Sequence, residues 1–367
     1  MTNAIVRVSA CQNESVGIVK AYEPVAKLNV GLLFPFRNPP QFRRPWPQFY
    51  AEQLAQVRAA EELGFDEAWL TEHHFAEDGY SPALFPIAGA IASTTSRIRI
   101  GTYLVLLPLH NAVRIAEDAA TVDVISNGRF DLGVGQGYGP QEFDGYGVNR
   151  KARASRLEEG IEVVRGAWTK NDFSFSGKHY NVKGITIMPP AVQKPHPPIW
   201  IGAGAPKAIQ RAGRMGCHFM SLGDPRAQQI YDSALREAGR NPSDYSAAQL
   251  YWTHIAPTTD QAWAEAQDHY HAMLKGYARW LIAANEMPGT ERLADLPEPS
   301  KLRDAKGLLF TPLFGSPQEV AARLNESFKN VRTTHLVLGM HLPGIAPERS
   351  RASMELFARE VAPKLQL

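Results

Sequence analysis

Residues 68–75 (AWLTEHHF) place one carboxylate, Glu72, and two imidazoles, His73 and His74, directly after an apolar, aromatic run. Imidazole is the side chain whose ordinary proton affinity falls near neutral pH, so this is a candidate acid–base centre. Adjacent residues on extended backbone point to opposite faces. The two rings therefore do not grip one metal together: one faces inward and the other packs outward. No Cys/His set has zinc spacing, so no metal is expected.

Two glycine-rich stretches could bring backbone close to a ligand. In 133–139 (GVGQGYG) the third glycine of a dinucleotide fingerprint would fall on Tyr138 or Pro140, so that motif fails. A fingerprint helix should open at once, and Pro140 with Asp144-Gly145 speaks against one. Gly135, Gln136, Gly137 and Tyr138 are read as a border for something flat or phosphorylated. In 201–207 (IGAGAPK) a strand passes into a helix. Gly202, Ala203, Gly204 and Ala205 could expose N–H groups to a phosphate, with Lys207 adding charge. An ordinary strand-to-helix loop fits those residues equally well. Tyr103-Leu104 lies inside an apolar run after Gly101-Thr102, which could mark a bulge; on physics alone it is core.

Elements that could position these residues alternate along the chain. Buried strands are read at 28–34, 65–70, 98–107, 130–135, 198–202, 218–222, 248–255 and 334–338, with amphipathic helices between them. A surface hairpin is read within 171–188. Eight strands with intervening helices predict a (β/α)8 TIM barrel, where chemistry sits at the C-terminal strand ends. The barrel is taken as one domain over 27–367, and 1–26 as an N-terminal extension. Residues 286–315 break the rhythm before the last βα unit, which predicts an insertion acting as a mobile lid.

Composition excludes several classes. A formal net charge of +2 over 367 residues gives no electrostatic case for nucleic acid or an anionic membrane. Two cysteines, Cys11 and Cys217, are too few for a disulfide framework, which points to a reducing cytoplasm. No apolar run approaches the ~20 residues that span a bilayer, and polar residues interrupt any signal-peptide core in 1–26.

Taken together, E-H-H-F (72–75), G-T-Y-L-V-L-L-P (101–108), G-R-F-D-L-G-V-G-Q-G (128–137), P-Q-E-F-x-x-Y-G-V (140–148), P-P-I-W-I-G-A-G (197–204) and S-M-E-L-F-A-R-E-V-A-P (353–363) resemble the bacterial-luciferase-like family of flavin-dependent monooxygenases. The resemblance implies FMN as cofactor and a dimer, here expected as a homodimer. It implies that His73 is catalytic near the flavin's reactive edge, with Glu72 tuning it. It places the ring on an unusual peptide at Tyr103-Leu104, bordered by 135–138, and the phosphate at 202–205. The luciferase α-subunit has Cys-Arg where this chain has Gly135-Gln136, and Glu-Ser where it has Gly204-Ala205. Backbone amides or another cation must then hold the phosphate.

The reaction implied is oxygenation of a small organic substrate by reduced FMN and O2 through a flavin C4a-hydroperoxide. Because the chain carries no nicotinamide fingerprint, a separate reductase would supply the reduced flavin. Two alternatives use the same barrel: a hydride-transferring enzyme of the deazaflavin F420, and a flavin-binding protein without turnover.

Overall fold

The computed structural model describes residues 27–286 and 290–366. The extension expected at 1–26 lies outside them. Eleven strands occur among the described residues: β1 (Asn29–Phe34), β2 (Glu67–Leu70), β3 (Arg99–Thr102), β4 (Phe130–Val134), β5 (Phe173–Ser176), β6 (Asn181–Ile185), β7 (Ile199–Gly202), β8 (His218–Ser221), β9 (Ala247–Ile255), β10 (Leu313–Gly315) and β11 (His335–Gly339). The helices are α1 (Trp46–Glu62), α2 (Leu84–Thr94), α3 (Ala112–Ile125), α4 (Pro140–Gly145), α5 (Arg153–Thr169), α6 (Pro206–Arg214), α7 (Pro225–Glu237), α8 (Thr259–Ala284), α9 (Pro317–Asn330) and α10 (Pro347–Leu356).

Strands β1, β2, β3, β4, β7, β8, β9 and β11 pair in parallel in that order, and β11 returns to β1. This is the expected (β/α)8 barrel. β5 and β6 form the antiparallel hairpin outside it. The barrel interior is filled by side chains, among them Leu33, Trp69, Trp200, Met220, Trp252 and Val337. Glycines on the flanking strands make room for the Trp69 indole: a Cβ on Gly31 would lie 2.7 Å from its Nε1, and one on Gly101 would overlap its ring. Trp69 Nε1 donates to Glu67 at 2.8 Å, so this interior indole keeps its polar atom satisfied.

Local chemistry sets the element ends. Gly64, at φ 86°, turns the chain out of α1 into β2. The Asn111 side chain accepts from the Val113 and Arg114 amides and opens α3. Ser316 accepts from the Glu319 amide and Pro317 sits at the first turn of α9, the start read from sequence.

Three details differ from the sequence reading. The third strand stops at Thr102 rather than running to 107, and the chain rejoins β4 only through a bridge of Val105 to Val134; the Tyr103–Leu104 peptide between them is cis. A short helix, α4, does open at Pro140, because Pro is suited to a first helical turn. Residues 313–315 within the insertion are a strand paired with Thr253–Ile255. The described remainder of the insertion lies against α8 and β9. The Phe310 ring is 5.1 Å from that of Tyr277 and 6.3 Å from that of Trp252, and Tyr270 Oη donates to the Phe310 carbonyl.

Candidate active site

After β2 the chain leaves the strand at 71 and bends at 74–75, and the two histidine rings part into different surroundings. The His73 ring turns into an aromatic box. It stacks on Trp280 with centroids 4.3 Å apart and planes at 26°, and meets Tyr80 at 4.8 Å, Tyr138 at 5.7 Å and Tyr277 at 6.2 Å. Tyr80 and Tyr277 hydroxyls join at 2.8 Å. The His74 ring instead meets Tyr146 at 4.8 Å and His110 at 6.0 Å.

The carboxylate on His73 is Glu142 and not Glu72. His73 Nδ1–H donates to Glu142 Oε1 at 2.8 Å, and the His74 amide donates to the same oxygen at 2.9 Å. Glu142 is fully buried, and its Oε2 has no partner. It rides on α4, the helix that the sequence reading did not expect. The P-Q-E-F motif was the available signal: its Glu lies two residues after a helix-starting proline, in the loop that follows β4.

Glu72 is spent elsewhere, which corrects the expectation that it tunes His73. Its Oε1 accepts from His74 Nε2 at 2.5 Å and His110 Nε2 at 2.6 Å, and its Oε2 from the Leu106 amide at 2.8 Å. Burial would raise its carboxyl, yet the hydrogen bonds from His110 and His74 outweigh burial and hold it down at about 2. His110 is raised in turn: burial opposes its charge, and Glu72 overrides burial. The Tyr146 hydroxyl donates to His74 Nδ1 at 3.2 Å. Glu72, His74 and His110 place one ligand atom each within 4.8 Å of one another. Every one of those atoms is hydrogen-bonded, and the two short N–H···O contacts converge on a single oxygen. The cluster reads as a clasp tying the E-H-H-F segment to the chain after β3.

The glycine-rich segments divide into two kinds. A Cβ on Gly135 would lie 2.7 Å from Leu104 Cδ1, and one on Gly202 would overlap the same side chain. These two glycines seat Leu104, so the chain itself supplies their close approach. Gly137 is left-handed at φ 69° and backs onto Phe143. Gly204 has nothing within 4 Å of where its Cβ would stand. Gly204 and Ala205 are exposed at the start of α6, where Ala205 provides no side-chain cap. Uncapped N–H groups at the first turn, open to solvent, suit a phosphate. Lys207 is exposed on that turn, and Arg211 Nη1 lies 3.5 Å from Gln136 Oε1 with its Nε on Glu158 at 2.6 Å. A cation thus stands beside Gln136. Tyr103 presents its hydroxyl to the Ser221 carbonyl at 2.9 Å, and burial raises its phenol.

The chain is 26% identical over 332 residues to the oxygenase component of flavin-dependent trigonelline monooxygenase from Acinetobacter baylyi, covering 86% of this chain and 90% of that protein. It is 29% identical over 335 residues to an F420-dependent glucose-6-phosphate dehydrogenase from Amycolatopsis mediterranei, covering 87% and 96%. Higher-identity matches, at 36% and 31%, span about half the length of two uncharacterised curated relatives. Monooxygenase RslO1 from Streptomyces bottropensis superposes with a TM-score of 0.77 at 25% identity, over 92% of this chain and 99% of that one. The model of the luciferase-like monooxygenase family matches residues 28–335, and the chain belongs to that family.

Proposed function

We propose that the protein is a flavin-dependent monooxygenase that takes reduced FMN and O2 and oxygenates a small organic substrate. The observation that carries the reading is the His73–Glu142 contact in an aromatic box at the C-terminal ends of the barrel strands. When bound, the reduced flavin supplies the electrons that activate O2. The chain does the rest. With Nδ1–H committed to Glu142, His73 keeps Nε2 as the atom that takes up or releases a proton. Tyr80, Tyr138, Tyr277 and Trp280 keep water from it. Tyr103-Leu104, with the Leu104 side chain seated on Gly135 and Gly202, lies under the ring, with Gln136, Gly137 and Tyr138 at its border. The amides of 202–205 receive the phosphate, with the exposed Lys207 adding positive charge. The fit of these residues to FMN is a matter of donors and open space: an uncapped helix start, an exposed glycine and a nearby lysine.

A relative described as an oxygenase component supports a separate flavin reductase, the family resemblance supports a homodimer, and the two cysteines support a cytoplasmic location. Among the described residues no helix is long and apolar enough to cross a membrane. The described part of 286–315, against Tyr277 and Trp252, is proposed as the lid over the box.

The F420 reading stays as the second candidate because F420-dependent dehydrogenases align over nearly their whole length. Titrating the protein with FMN and with F420, each followed by quenching of cofactor fluorescence, separates the two. Tight FMN binding with oxygenated product, when reduced flavin is supplied, is the expected outcome. Binding of F420 alone overturns the proposal, and FMN binding without product from any candidate ketone, aldehyde or aromatic leaves only a flavin-binding protein.

A further inference from the structure

Arg37 is a buried cation that the proposed chemistry does not use. It follows β1 at the mouth of the barrel, with its side chain 3% exposed. Its Nε donates to Asp78 at 2.6 Å. Gly276 of α8 leaves room for its Nη2, which would lie 2.5 Å from a Cβ there. Its Nη1 has no partner. The guanidinium carbon lies 4.8 Å from the Tyr80 ring, 5.5 Å from Tyr277 and 5.6 Å from Trp280. These are the rings that wall in His73. The box therefore has flat apolar walls, with the unpaired N–H donor of Arg37 beside them. A buried donor left unpaired is costly, so a ligand that brings acceptors is favoured there. The chain also shows what shape the box accepts: the Trp280 indole lies flat on His73, edge-on to Tyr277 at 5.5 Å.

We infer that Arg37 determines substrate specificity by receiving an sp2 oxygen, carbonyl or carboxylate, carried on a planar ring that takes the place of the Trp280 indole against His73. The inference rests on the reading of His73 as the reacting centre. Asp78 already balances the guanidinium charge, so a neutral carbonyl is accepted as well as an anion. A ring without an acceptor would leave Nη1 unpaired, and discrimination against it follows from that cost.

Calorimetric titration of the cofactor-free protein with benzamide, benzoate and toluene tests this apart from any flavin chemistry. In the wild type at least one oxygen-bearing ring should bind about tenfold or more tighter than toluene. Benzamide alone would mark a neutral carbonyl as the ligand, and benzoate an anion. Trp280→Ala should tighten both by vacating the slot. Arg37→Met combined with Asp78→Asn, which leaves no buried charge unpaired, should erase the preference while toluene binding is unchanged. Arg37→Lys, which keeps the pairing with Asp78, should lose most of it; this variant serves if the double substitution does not fold. Equal binding of all three probes by the wild type, or a preference that survives both substitutions, overturns the inference. Nη1 then serves solvent in the narrow cavity that Arg37 also lines with Gln56 and His341. FMN titration of the same proteins tells such a failure from a failure of the monooxygenase reading.

Discussion

His73 Nδ1 and Glu142 Oε1 lie 2.8 Å apart although 69 positions separate the two residues in the chain. This contact fixes which ring nitrogen faces the aromatic box. Glu142→Gln retains an acceptor of the same shape for Nδ1–H and for the His74 amide, so the fold should persist. Removing the charge takes away the carboxylate that backs the ring, so turnover should fall by roughly tenfold or more, with FMN affinity unchanged. Wild-type turnover would show that Glu142 only holds the loop.

His73→Ala should keep the fold and most FMN binding while lowering turnover by roughly 10²–10⁴. His74→Ala should act mainly through stability, because its ring is bonded to Glu72 and Tyr146 outside the box. Thermal melts, FMN titration and turnover with supplied reduced flavin make the comparison. A folded, inactive His74 variant beside an active His73 variant would reverse the assignment.

The clasp on Glu72 makes a pH prediction. Its carboxyl lies at about 2 in the fold against an ordinary value of 4.5. A depressed acid contributes stability above its unfolded value, and that stability fades as pH falls from 4.5 toward 2. The size is on the order of 3 kcal/mol. His110 is raised, so its contribution is present below its ordinary value and fades as pH rises through its folded one. Denaturant melts should therefore show a maximum from this pair in mildly acidic solution. Glu72→Gln should be less stable at that pH and should show a flatter acid limb. Parallel acid limbs in the two proteins would contradict the clasp.

The two glycines at the end of β7 should respond differently. Gly202→Ala presses a methyl into Leu104 and should destabilise by about 1–3 kcal/mol. Gly204→Ala meets nothing and should leave the melt unchanged. Gly204→Trp should weaken FMN binding with the fold intact, since its indole would stand where the phosphate is proposed. FMN affinity equal to wild type in that variant would move the phosphate elsewhere.

The barrel was legible in the sequence because strand and helix periods differ, and eight alternations leave few other closed architectures. That His73 and His74 have different surroundings was legible too, because adjacent side chains at a strand end part from one another. What the sequence could not carry was the pairing of groups far apart in the chain. Glu72 stands next to His73 and was read as its partner, but adjacent residues on extended backbone diverge, so the nearest carboxylate in sequence was the wrong one in space. Glu142 reaches His73 only because β2 and β4, with β3 between them, bring their C-terminal ends to one mouth. The glycines at 135 and 202 likewise looked like ligand approaches, and only the packed barrel shows Leu104 seated on both. Arg37 was invisible as a site residue because a single arginine after a strand carries no periodic signal. Its unpaired nitrogen exists only once Asp78, Tyr80 and Tyr277 have closed around it.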